Sequence, residues 1–302
     1  MQVRTSGTKP AALGRMIAAV AGAVLVLFAP PAHAEPAMWV VKDADSIVYL
    51  LGTFHLSKPG LQWRSEKIDA AFKDSDELWV EASETGNEAL LETLLLKHGF
   101  DPARPLSSKL SGDVWDRVQS AAKLVGMPVS SVEQMRPWLA ATYLTLARVM
   151  QEGYDPYDGP DGELEKSARA SQKMVKTLES LEQHMLVFSA VSEQGEIDFL
   201  VQTLSELEGG PKFVDFVDQM AAAWIAGDTD KLETMALSNL KAQAPELYES
   251  VLVRRNLDWS DQIAAIMHGA GTSFVAVGAA HLIGNESVPA ILVERGFAVK
   301  PY

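Results

Sequence analysis

Ile47-Val-Tyr-Leu-Leu-Gly-Thr-Phe-His55 is the stretch on which the fold turns. Its first five residues form a short apolar run with β-branched and aromatic side chains, which reads as a strand. Gly52 closes the run, and His55 follows three residues later. Phe274-Val-Ala-Val-Gly-Ala-Ala-His281 repeats the arrangement near the C-terminus, with Gly278 and His281 at the same spacing. A glycine lacks Cβ, so each one is expected to let the chain turn sharply out of its strand and aim the histidine over the sheet edge. The rest of the chain reads as a scaffold that brings these two strand ends together.

Upstream, Trp39–Lys42 pairs naturally with Ile47–Leu51 through the turn Asp43-Ala44-Asp45. Ser65 suits the cap of a helix carrying Ile68, Ala71 and Phe72 on one face. Leu78–Val80 then reads as a buried strand after a crossover, ending at Glu81. The middle is helical. Leu90, Leu91, Leu94 and Leu95 form one apolar stripe. Val114, Trp115, Val118, Ala122 and Val125 form another, and Pro137 opens a third helix. Tyr154–Gly162 is the strongest breaker cluster. A helix beginning near Asp161 precedes a candidate strand, Met174–Leu178, that ends at Glu179. Helical patterning runs from Glu182 to about His268, ahead of the strand at 273–277. Phe297–Lys300 reads as a last strand. This is an α/β pattern: a mixed sheet flanked by helices, with a helical insertion.

Residues 1–34 stand apart. Arg4, Lys9 and Arg15 precede an apolar run of about a dozen residues, which is too short to span a bilayer comfortably. Ala32-His33-Ala34 supplies a small-x-small cleavage site, so this segment reads as a secretory signal peptide. Residues 35–302 are expected to form a single domain with a helical cap at about 87–152, periplasmic or secreted, with no membrane span. The chain carries a net charge of −14, and losing three positive charges with the leader makes it more acidic still. That balance argues against nucleic acid as a partner. The absence of cysteine removes thiolate ligands and a cysteine nucleophile.

In an open α/β sheet the carboxyl ends of the strands face a common crevice. His55, Glu81, Glu179 and His281 would therefore converge there, a nitrogen and oxygen donor set suited to zinc, manganese, cobalt or iron. A packing role is the ordinary account of one G-x-x-H; two copies, each after a β run, bring the metal reading level with it. His184 reads as a surface or packing residue on a helix. Asp161 has two readings, as a helix cap or as a further ligand. Glu179 and Glu182 also read as solvated charges on LESLEQ. Neither H-E-x-x-H nor G-x-S-x-G is present.

LLGTFH at 50–55, LWVEAS at 78–83, GPDGELEKSA at 159–168, LESLEQ at 178–183, RRNLDW at 254–259 and FVAVGAAHLIGNESVPAILVERGF at 274–297 together resemble the TraB/GumN family, which includes the TIKI proteases. The resemblance runs from about Met38 to Tyr302. It implies a fold akin to erythromycin-esterase and ChaN-like proteins, and metal-dependent hydrolysis. His55 and His281 match the two motif histidines and Glu81 the acidic residue; Asp161, Glu179, Arg255 and Asn256 match further family positions. The implied metal ligands are His55, His281, Glu81 and Asp161, with Glu81, Glu179 and Arg255 as catalytic candidates. The expected function is metal-dependent hydrolysis of a peptide or small-molecule substrate with manganese, cobalt, zinc or iron. The alternatives are a non-catalytic protein that sequesters a peptide signal, a metal or haem, and hydrolysis of an ester or lactone.

Overall fold

The two strand-Gly-x-x-His segments lie side by side on parallel strands, offset by one residue so that Gly278 faces Thr53 and Gly52 faces Val277. A computed structural model describes residues 35–302 apart from 57, 157 and 158; the expected leader at 1–34 lies outside the described residues. Strand β1 (Met38–Lys42) turns back into β2 (Ser46–Thr53) through Asp43, whose Oδ1 accepts from the amides of Asp45 and Ser46. Helix α1 (Glu66–Asp74), capped by the Ser65 hydroxyl, crosses over to β3 (Glu77–Val80). The helical middle comprises α2 (Glu88–Gly99), α3 (Gly112–Leu124) and α4 (Pro137–Gln151). Helix α5 (Pro160–Ala170) leads to β4 (Met174–Thr177). Then come α6 (Leu181–Ser189), α7 (Glu193–Leu207), α8 (Pro211–Ile225) and α9 (Arg254–Met267), with shorter helical turns between them. Strand β5 (Gly271–Gly278), α10 (Val288–Glu294) and β6 (Val299–Pro301) complete the chain.

Among the described residues, six strands make one mixed sheet in the order β4-β3-β5-β2-β1-β6. Strands β4, β3, β5 and β2 are parallel, and β1 runs against its neighbours β2 and β6. Strand β5 is central and buried on both faces, which explains its unbroken apolar run. Phe274 and Ala276 pack with Leu51, Ile68, Leu78 and Trp224 on one face. Val275 and Val277 pack with Val48, Leu50, Trp259 and Leu292 on the other. Helices therefore cover both faces. A separate apolar cluster, including Leu106, Val118, Leu139, Leu144, Leu200 and Leu204, holds the helical middle together.

Two sequence expectations change here. Helix α2 buries Leu94 but leaves Leu90 exposed, so its stripe is narrower than the four leucines suggest. The stretch leading into α9 is not uniform α-helix: Glu249–Val253 winds as a π-helix. The extra residue in that turn resets the helical phase. Arg254 then faces outward near Glu249, while Arg255 is buried beside Trp259.

Candidate metal centre

The carboxylates of Glu81 and Glu179 leave neighbouring parallel strands at the same level. Val80 is opposite Thr177, and the pairing continues beyond the strands: the Leu178 amide donates to the Val80 carbonyl at 2.9 Å and the Glu179 amide to that of Glu81 at 3.0 Å. Both side chains are buried, so Glu179 is no surface charge. Two buried carboxylates side by side repel unless a cation lies between them. Arg255 supplies it. Its Nε donates to Glu179 Oε2 at 3.1 Å, and its Nη2 donates to Glu179 Oε1 at 2.7 Å and to Glu81 Oε2. The guanidinium also lies 4.4 Å from the ring centre of Trp259, one helical turn on. Burial opposes ionisation of Glu81, but the Arg255 guanidinium outweighs it and holds the carboxyl well below the usual carboxylate range.

His281 sits in a short 3₁₀ turn, Ala279–Leu282, directly after β5. Asn256 donates through Nδ2 to the Glu286 carbonyl at 2.7 Å, which turns its Oδ1 towards the imidazole. His281 donates from Nδ1 to that oxygen at 2.6 Å, fixing the tautomer. Its Nε2 accepts from Arg255 Nη1 at 3.0 Å and lies 3.8 Å from Glu81 Oε1. Burial, rather than any neighbouring charge, chiefly pushes the His281 pKa down to about 3, so the ring is neutral.

His55 differs in both exposure and partner. It follows β2 on a loop, with Nε2 3.8 Å from Glu81 Oε1 and 60% of its side chain open to the cleft. Its Nδ1 donates to Asp161 Oδ2 at 2.9 Å. Asp161 is anchored in turn by the Thr53 hydroxyl. Asp161 raises the His55 pKa to about 9, against the cost of desolvation, although water in the cleft screens part of that pull. Asp161 is not the cap of α5. Gly159 holds the cap position, and the Asp161 carboxylate in the first helical turn reaches back to Thr53 and His55. It therefore stands behind the histidine, where it orients the ring.

His184 overturns its sequence reading as a surface or packing residue. From the first turns of α6, its Nδ1 lies 2.7 Å from Glu179 Oε1 and 3.9 Å from Glu81 Oε2. Among the described residues, the donor atoms of Glu81, Glu179 and His184 all lie within 4.8 Å of one another, and this group could hold a metal ion. The donor set fits a borderline divalent cation. So does the charge: two carboxylates face one guanidinium, which leaves the buried cluster net negative. Of the residues singled out from sequence, Glu81, Glu179, Arg255, His55 and His281 converge at the carboxyl edge, and Asp161 reaches it through His55. Asn256, also named from the sequence, orients His281; Thr53 and His184 complete the constellation. The spacing Glu179-x-x-x-x-His184 carried the signal for the last of these, since a residue just inside the helix that follows a strand can turn back over the strand end.

The paired glycines act through space rather than backbone angle. Gly278 has an ordinary negative φ, and Gly52 lies inside β2. A Cβ on Gly278 would stand 3.0 Å from His55 Nε2 and 3.2 Å from Glu81 Oε1; on Gly52 it would press within 3.1 Å of the Ala279 backbone. The expected role in sharp turning is replaced by close approach: these positions leave room for the site.

The profile of the TraB/PrgY/gumN family matches residues 37–301. The chain belongs to this family. It is 24% identical over 258 residues to YbaP, an uncharacterized protein of Escherichia coli K12, covering 85% of this chain and 92% of that protein. It is 21% identical over 276 residues to an uncharacterized protein of Treponema pallidum, covering 87% and 82%. No solved structure matches the chain. Among the described residues, no helix is long and apolar enough to cross a membrane.

Proposed function

We propose that this protein is an exported metal-dependent hydrolase that cleaves peptides. The observation that carries the reading is the position of Glu81, a buried carboxylate with Oε1 3.8 Å from Nε2 of both His55 and His281 and Oε2 3.9 Å from His184. The leader pattern of residues 1–34 supports export.

Glu81, Glu179 and His184 would hold a divalent ion, with His55 and His281 offering further nitrogens around the shared Glu81. Such an ion, when bound, polarises a carbonyl and acidifies its water. The chain's own groups supply the rest. Glu81, kept ionised by Arg255, is available as a base at its Oε1. Arg255, held by Glu179, is placed to stabilise negative charge developing on a reacting oxygen. His55, protonated at neutral pH and oriented through Nδ1 by Asp161, holds a proton on the Nε2 that faces the cleft. As a ligand it would release that proton, so metal binding at His55 would tighten as pH rises.

A second reading is favoured by Arg255 itself. Its guanidinium fills the centre of the cluster, touching Glu81, Glu179 and His281. If it stays there under all conditions, the protein captures a ligand at the cleft without turning it over. Cleavage decides between the two: incubation of a mixed peptide library with protein loaded separately with manganese, cobalt, zinc and iron, read by mass spectrometry. The hydrolase reading predicts metal-dependent products that vanish in Glu81→Gln. Peptide retained intact with every metal supports capture.

A further inference from the structure

Three of the reactive side chains line two cavities, one of mixed polar and apolar lining and one largely apolar. His55, Glu81 and His184 border an outer cleft of about 270 Å³, together with Glu84, Asp161 and Lys166. The same three border an inner cavity of about 430 Å³, where Arg255, Gly278 and His281 form the polar end. The remaining wall of the inner cavity is largely apolar: Phe54, Leu56, Phe188, Leu237, Leu240 and Val251. The cluster thus stands at the junction of a wet arm and a greasy arm.

We propose that the substrate is bipartite, with a compact apolar group in the inner cavity, a hydrogen-bonding segment in the outer cleft, and the reacting carbonyl between them. This rests on the hydrolase reading and names its substrate class. Three observations argue for it. The apolar wall is continuous with Arg255, Gly278 and His281, so a group seated there delivers its adjoining carbonyl to the cluster. The volume suits more than one side chain: a cavity of about 150 Å³ accepts a benzene-sized ring, so the inner one, at about 430 Å³, has room for about two to three such groups. An apolar chamber opening beside buried charges also gains from being filled, because expelling water strengthens the interactions at its polar end. The shared chemistry is an apolar group next to a carbonyl. It has two sources: neighbouring leucine- or phenylalanine-type side chains of a peptide, or the acyl part of an ester.

The test uses the mature protein, chelator-treated for binding and metal-loaded for turnover. The probes are a hexapeptide with Leu-Phe at its centre, the same peptide with Ser-Asn, and a short aryl hexanoate ester. Calorimetry reads binding and mass spectrometry reads cleavage. Ala236→Trp fills the inner cavity and Leu240→Gln makes its wall polar; both residues line it and pack with its apolar side. The expected result is a preference of about tenfold or more for Leu-Phe over Ser-Asn, largely abolished in both variants at unchanged circular dichroism. The ester arm separates the two sources: tight ester binding with weak peptide binding assigns the cavity to an acyl group. Equal binding of the two peptides with no ester binding, or a preference that survives both variants, overturns the proposal. Selective binding without cleavage keeps the bipartite site and sinks the hydrolase reading. Cleavage without apolar selectivity does the reverse.

Discussion

Arg255 and Glu81 form a buried ion pair at the carboxyl edge of the sheet, and Arg255 holds Glu179 with the same guanidinium. One cation thereby stabilises two carboxylates that are shielded from water. Removing it leaves both uncompensated. Arg255→Met is expected to cost about 3–5 kcal/mol in urea denaturation of the metal-free protein. A divalent cation should restore part of that loss, because it replaces the missing charge. A loss below about 1 kcal/mol, or no response to metal, would contradict the arrangement.

His281 and His55 should titrate in opposite directions. The folded pKa of His281 is depressed to about 3 from an ordinary 6.5. Below pH 6.5 the unfolded chain therefore takes up a proton that the folded chain refuses, and stability falls as pH drops towards 3. Nitrogen-detected NMR of the metal-free protein should show His281 as the Nδ1–H tautomer from pH 8 to 5. Titration of His281 near 6.5 would be incompatible with its burial and its bond to Asn256.

The folded pKa of His55 is raised to about 9. Its contribution to stability is full below pH 6.5 and is lost as pH rises through about 9. Asp161→Asn removes the principal cause. NMR should then place the His55 titration close to 6.5, and the decline in stability between pH 6.5 and 9 should flatten. An unchanged His55 titration in that variant would show that Asp161 does not govern the ring.

Gly278→Ala tests the claim that the glycine makes room. The new methyl would crowd His55 Nε2 and Glu81 Oε1. We expect a cost of about 1–3 kcal/mol and weaker metal binding. Gly112→Ala is the control, since nothing lies within 4 Å of its Cβ position; it should leave both unchanged. Equal behaviour of the two variants would remove the spatial argument.

The sheet was legible because its strands are short apolar runs punctuated by glycine and acids, and β5 is apolar throughout because both its faces are covered. Glu81 and Glu179 were legible as strand-end carboxylates. His184 was not: its spacing from Glu179 was its one mark in the sequence, and only the way α6 leaves β4 and folds back turns that spacing into a contact. Asp161 looked like a cap because Asp favours caps, yet Gly159 took that position and freed the carboxylate for His55. The inward turn of Arg255 depends on the π-helical residues 249–253, whose phase shift leaves no mark in an apolar stripe.

Whether Glu81, Glu179 and His184 hold a metal is decided by the metal content, measured by mass spectrometry, of mature protein exported and purified without chelator. Glu81→Gln, His55→Ala, His184→Ala and His281→Ala are measured alongside. Near-stoichiometric manganese, zinc, cobalt or iron is expected in the wild type, lost in Glu81→Gln and His184→Ala and reduced in the other two. A wild-type protein that is empty as purified, and remains empty after each metal is offered, would contradict that expectation.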